Sequence, residues 1–177
     1  MTTFIVAMVV AILAALLAIP AVAGARCRAA AKAPPAGTPV AHRDVVRAQL
    51  LALPGDNGPI AVRPEGDTIV ATWQLMGIPW ATLSFRAKLR TTHALHLTIG
   101  DGVVEARMRV GSVAWETAAA TWMPRAVVTW SAPRVPDFGD GSAAMPITPE
   151  GARPVAQLVA HVRDVVTRAG YRFEPRP

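Results

Sequence analysis

Residues 94–110 read ALHLTIGDGVVEARMRV. Leu95, Leu97 and Ile99 alternate with His96 and Thr98. Gly100-Asp101-Gly102 then interrupts, and Val104, Ala106, Met108 and Val110 alternate with Glu105, Arg107 and Arg109. Successive side chains of a strand point to opposite faces, so a period of two means one packed face and one wet face. An Asp-Gly pair between two such runs is the signature of a tight hairpin connection. The stretch therefore predicts a β-hairpin, and with it an antiparallel sheet whose Leu95 face needs a cover.

Working outward, the same period appears upstream. Ile69, Ala71, Trp73 and Leu75 alternate with polar or smaller neighbours, and Leu83, Phe85, Ala87 and Leu89 alternate with Ser84, Arg86, Lys88 and Arg90. Residues 60–63 add a short edge strand. Downstream, Gly111 is expected to end the second hairpin strand, and residues 113–115 and 126–130 supply two more. Six or seven strands are thus expected over residues 60–132. Outside them the period changes to that of a helix. Thr38 and Pro39 fit a cap and first turn, and Val46, Leu50 and Leu53 form a stripe, which predicts a helix over 38–53. Val155, Leu158, Val159, Val162 and Val166 mark a second helix over 153–169, with Gly170 in the left-handed position after it. Tyr171 or Phe173 then folds back on the core. Residues 54–59 and the long stretch 133–152 read as loops. The expectation is an α+β domain over 38–177: a mostly antiparallel sheet, rolled or partly closed into a barrel, packed by an N-terminal and a C-terminal helix.

The chain opens differently. Residues 4–24 contain no charge and no Asn, Gln or His. About 20 helical residues at roughly 1.5 Å each cross a hydrocarbon core of about 30 Å. A helix apolar on every face belongs in lipid or in a large core. Residues 1–24 are therefore expected to be a transmembrane anchor, with a cleaved signal peptide as the alternative. The run exceeds the roughly 7–15 residues of a signal peptide, although Ala21-Val22-Ala23 and Ala23-Gly24-Ala25 have the form of cleavage sites. The flanking charges Arg26, Arg28, Lys32, Arg43 and Arg47 all follow the helix. Basic residues stay on the cytoplasmic side, which predicts an outside N-terminus and a cytoplasmic domain in a cell membrane; a periplasmic or extracellular domain is the alternative. Residues 25–37 read as an Ala/Pro/Arg stalk stopped by Pro34-Pro35. Arg26, Arg28 and Lys32 are expected to meet anionic headgroups. The lone Cys27 excludes an intramolecular disulfide, and Arg26 directly before it argues against lipid attachment. The Ala-, Arg- and Pro-rich character with one anchor resembles that of a bacterial envelope protein.

Charge and motifs exclude more than they assign. The formal net charge is +6, but the basic residues are scattered, and no nucleic-acid partner is expected. His93 and His96, three apart on a strand, face opposite ways; His42 and His161 fall on different helices, so no metal site is expected. Gly111-Ser112 and Gly141-Ser142 are not nucleophile elbows. Gly55-Asp56-Asn57-Gly58 lacks the Gly-Lys-Ser/Thr ending of a P-loop. Asp137 and Asp140 flank Phe138-Gly139 and read as loop solvation. No catalytic residue and no cofactor is read. Of five tryptophans, Trp73, Trp115 and Trp130 read as core or sheet rim. Trp80 and Trp122 fall near strand ends and, with Phe138, are the candidate ligand- or partner-binding residues.

These readings converge on a membrane-tethered, non-enzymatic binding or scaffolding module for a protein, a lipid or an apolar ligand. The first alternative is an enzyme with an unrecognised site. The second is a structural subunit whose helix pairs with another membrane protein or with itself, through the small-residue spacings Ala7/Ala11/Ala15 and Ala14/Ala18.

Overall fold

The structure is a computed structural model that describes residues 2–53, 60–75, 80–86, 89–116, 125–133, 138, 147–148, 151–152 and 155–177. In chain order its elements are α1 (Thr2–Ala30), α2 (Arg43–Leu51), β1 (Ile60–Glu65), β2 (Thr68–Trp73), α3 (Trp80–Arg86), β3 (Thr91–Ile99), β4 (Val103–Glu116), β5 (Arg125–Ser131), the two-residue pair β6 (Ile147–Thr148) and β7 (Gly151–Ala152), α4 (Val155–Arg168) and β8 (Arg172–Arg176).

The hairpin forms where the alternation placed it. Leu95 faces Met108, Leu97 faces Ala106 and Ile99 faces Val104 across β3 and β4, and all six are buried. Gly102 takes φ +66° at the turn, and the Gly100 amide donates to the Val103 carbonyl at 2.8 Å. From this hairpin grows a curled antiparallel sheet in the order β1-β2-β3-β4-β5. β8 pairs in parallel with β4 over Val103–Arg107, whereas β5 pairs with β4 over Val110–Glu116. One long strand thus carries two partners in succession.

The Leu95 face is covered as expected for an α+β fold. Val46 and Leu50 of α2 and Leu158, Val159, Val162 and Val166 of α4 pack there with Trp73, Tyr171 and Phe173. Both tail aromatics are buried, and Gly170 has φ +81° beside the Pro39 carbonyl, where a Cβ would overlap that oxygen.

Four local expectations are corrected. Residues 83–86 lie in α3, not in a strand. Small Ala81 and Ser84 are the buried positions there, at helical spacing, while Phe85 is exposed. The apolar alternation of residues 83–89 was compatible with either period over so short a run. The next correction concerns α2, which begins at Arg43 with His42 as its cap rather than at Thr38. Tertiary bonds hold the preceding segment extended: the Ala41 amide donates to Ala169 O at 2.9 Å and the Tyr171 hydroxyl donates to Ala41 O at 3.0 Å. These outweigh the local Thr-Pro signal.

The third correction is at Gly111, which does not end β4. The strand continues to Glu116, and its buried side switches from Val104, Ala106 and Met108 to Gly111 and Val113. A Cβ at Gly111 would overlap Val128 and come within 2.9 Å of the Trp130 ring, so glycine admits side chains from β5 across β4. A second small cluster, Leu75, Leu89 and Val113 with Trp115, Ala126 and Val128, follows from this switch. The fourth correction is that residues 25–37 are not a free stalk. α1 continues to Ala30, Ala23 and Cys27 are buried, and Lys32 exchanges two backbone hydrogen bonds with Phe173 of β8 at 3.0 and 2.9 Å.

Candidate functional site

On the face opposite Leu95, the register brings polar side chains into rows. Arg63 of β1 lies across from Val70 of β2, and Val70 across from His96 of β3. Arg109 of β4 faces Ala94, and Trp130 of β5 faces Gly111. Arg63, Glu65, Val70, His96, Arg109 and Trp130 line one cavity of about 110 Å³. Neighbouring strands lie about 4.8 Å apart, so β1 and β5 would stand roughly 19 Å apart across a flat sheet. Side chains from both nevertheless reach one small cavity, and on the β5 side this follows from Trp130 leaning over the bare Gly111 backbone. Val70, Ala94 and Thr92, on the same face, are at most 2% exposed. Val70 forms an apolar floor of the cavity between charged walls.

The charges of this cavity are unbalanced. His96 Nδ1 is 4.0 Å from Glu65 Oε2. Neither Arg63 nor Arg109 makes an ion pair among the described residues, and Arg107, facing His96 across the ladder, makes none either. Burial lowers the His96 pKa from its ordinary value; Glu65 opposes this, and the Arg109 and Arg63 guanidinia add to it. The imidazole is thereby favoured in its neutral form, leaving two guanidinia against one carboxylate. The arrangement can hold an anion against the sheet.

Of the candidate site residues singled out by sequence, none whose side chain is described lines this cavity. Trp80 opens α3, and its side chain lies outside what the structure describes; Trp122 lies outside the described residues, as do Asp137 and Asp140. Phe138 is 2% exposed and packs within the main core. Arg26, Arg28 and Lys32 do share one region, the end of α1 and the start of the following segment. Lys32 borders a shallow groove of about 340 Å³ with Ala160, His161, Arg163 and Asp164 of α4. Nearby, Arg176 binds Glu105 at 2.8 Å and Glu174 at 3.2 Å, and the hydrogen bond to Glu105 raises its pKa. Burial raises the pKa of the Cys27 thiol, against the pull of Arg176 and Arg28, so it is held away from the reactive thiolate.

The other aromatic expectations divide. Trp73 is core, with Trp115 half-buried and donating from Nε1 to Leu89 O at 2.8 Å. Trp115 also meets Phe85 edge-on at 5.7 Å. Trp130 is 36% exposed and lines the cavity. The sequence marked His96 and Arg109 as wet-face residues of the hairpin. It held no signal that β1 and β5 would bring Arg63, Glu65 and Trp130 to them, because that depends on the curl of the sheet. Among the described residues no group of three His, Cys, Asp or Glu is placed to hold a metal. No protein family, no curated protein and no solved structure matches this chain.

Proposed function

We propose that the chain is a membrane-held, non-enzymatic binding domain seated directly on a bilayer surface. The observation that carries this reading is where α1 first meets the domain. Residues 5–30 form a helix long and apolar enough to cross a membrane, with mean hydropathy 2.9 over an 18-residue stretch. Ile5, Val6, Met8, Val9, Val10, Ile12, Leu17 and Val22 are all exposed. Counting about 1.5 Å per residue from Thr3, a hydrocarbon core of about 30 Å ends near Ala23. Ala23 is also the first buried residue of α1 among the described side chains, followed one turn later by Cys27.

The same contact favours an anchor over a signal peptide. Cleavage at either small-residue motif would remove Ala23 from the core it helps to fill. Arg26, Arg28 and Lys32 emerge at this level, where they suit anionic headgroups, and the basic flank supports a cytoplasmic domain. The reading as a binding domain draws on the sheet-face cavity, whose lining sets Arg63, Glu65, His96 and Arg109 around Val70 and Trp130.

The test replaces Cys27 with Ala and places a label site at the exposed hairpin turn as Asp101→Cys. An impermeant maleimide is then applied to intact and lysed cells, and the mass of the N-terminus is measured. Labelling only after lysis, with residues 1–24 retained in a salt-washed membrane fraction, is the expected result. Labelling of intact cells would move the domain outside, and loss of residues 1–24 would make α1 a signal peptide.

A further inference from the structure

We propose that the sheet face opposite the helices is a phosphate-binding site, with Arg63 and Arg109 clamping the group above Val70 and Glu65 accepting its residual proton. The inference rests on reading the domain as a binding module. It is independent of the anchor and of the side of the membrane.

Charge points to the class of ligand. Some arginines of the fold pair with carboxylates, Arg168 with Asp164 at 2.7 Å and Arg176 with Glu105 at 2.8 Å. Arg63 and Arg109 come from separate strands to one cavity and have no such partner among the described residues. Guanidinium forks match the paired oxygens of a phosphate, and two forks from different strands grip it from two directions. Arg107, on the same face, adds to the positive potential.

Size narrows the class. A cavity of about 110 Å³ holds three to four waters at roughly 30 Å³ each. That is room for one phosphate group, with any substituent leaving through the mouth between the arginines. Trp130 walls one side and Val70 the floor, so the group would lie partly sheltered from water, where charge-assisted bonds are stronger.

Glu65 selects within the class. An ionised carboxylate only accepts hydrogen bonds, so it repels an anion that carries no proton. Sulfate and ordinary carboxylates are fully ionised near neutrality. A phosphate monoester, with a second pKa of about 6, keeps a proton on a fraction of molecules there and can donate it to Glu65. Glu65 sits beside His96, with Arg63 and Arg109 as the other charged groups of the lining. A site built only for negative charge would have no use for this carboxylate.

The full-length chain in zwitterionic micelles is titrated calorimetrically with inorganic phosphate and, separately, with sulfate, at about pH 6. Saturable phosphate binding, about tenfold tighter than sulfate, is expected, as one charge-assisted hydrogen bond predicts. Arg63→Gln and Arg109→Gln should each weaken phosphate by about tenfold or more, and Glu65→Gln should erase the preference over sulfate. Arg168→Gln, on the exposed side of α4, should change nothing. Thermal melts of each variant separate lost binding from lost folding, and the Trp130 indole NMR signal reports whether phosphate enters this cavity. Repeating the titration in phosphatidylcholine nanodiscs with and without phosphatidic acid finds the source. Competition by phosphatidic acid assigns the group to a lipid headgroup, and no competition assigns it to a soluble phosphomonoester. Absence of saturable phosphate binding, equal affinity for sulfate, or equal weakening by Arg168→Gln would overturn the proposal.

Discussion

At the scale of single residues, Gly111 and His96 do the most to shape the charged cavity. Gly111 lets Trp130 and Val128 lie across β4, and alanine there would have to displace both. Overpacking of this kind costs about 1–3 kcal/mol. Gly111→Ala should therefore lower the denaturant midpoint and shift the Trp130 indole resonance, whereas the same change at exposed Gly37, where a Cβ meets nothing within 4 Å, should leave the indole untouched. His96 has a pKa below its ordinary 6.5 in the folded protein. Between those two values the unfolded chain binds more protons than the folded one, so stability falls as pH drops through about 6.5 and levels off below the folded-state value. His96→Gln should flatten that part of the melting-temperature profile measured between about pH 7.5 and 5. A profile identical to the parent would show that the imidazole is not desolvated. Sequence reading reached His96 because strand alternation fixes the face of a residue. It misplaced Cys27 and Phe138, because burial of a residue outside a periodic run depends on what arrives from elsewhere in the chain.

At the scale of elements, strong periodicity was legible and weak periodicity was not. The β3–β4 hairpin has nine and fourteen residues in its strands and an unambiguous turn, and its register follows from the pattern. α4 was equally plain, with five apolar positions on one stripe. α3 has only seven residues, too few for a period of 3.6 to separate from a period of two. The start of α2 was misread because its flank is held by α4 and Tyr171, partners more than a hundred residues away. The joint between α1 and β8 belongs to the same class. Its two backbone bonds are invisible in sequence, since any residue has the donor and acceptor. Lys32→Pro removes the amide that donates to Phe173 O at 3.0 Å. Loss of one such bond costs about 0.5–1.5 kcal/mol. The amides of Arg172–Arg176 should then exchange faster by hydrogen-exchange mass spectrometry, while those of β3 stay protected. Unchanged exchange in β8 would mean that the joint carries no load.

At the scale of the whole molecule, fold class was readable and topology was not. Alternating strands between two helical stripes specify an α+β arrangement, because the apolar face of a meander must be covered. Nothing in that pattern specifies that the chain returns to lay β8 parallel beside the first half of β4. Nor does it specify that the sheet curls far enough to bring β1 and β5 to one cavity. Both depend on which edges remain open once the other strands have paired.

The absence of a stalk has a mechanical corollary. A domain on a slack tether swivels freely whatever its anchor does. Here the last turns of α1 are packed into the core and tied to β8, which lies against β4, the strand that bears Arg109. Transmembrane helices tilt by about 20° on average and tilt further when the bilayer is thin. On the proposed membrane-spanning reading, α1 is a rigid mast and the domain its pointer, and the domain's attitude to the surface is expected to follow bilayer thickness. Distances from a label at Asp101→Cys to the lipid phosphorus plane should change stepwise through a series of acyl-chain lengths. In Lys32→Pro the same series should give a single broad distribution.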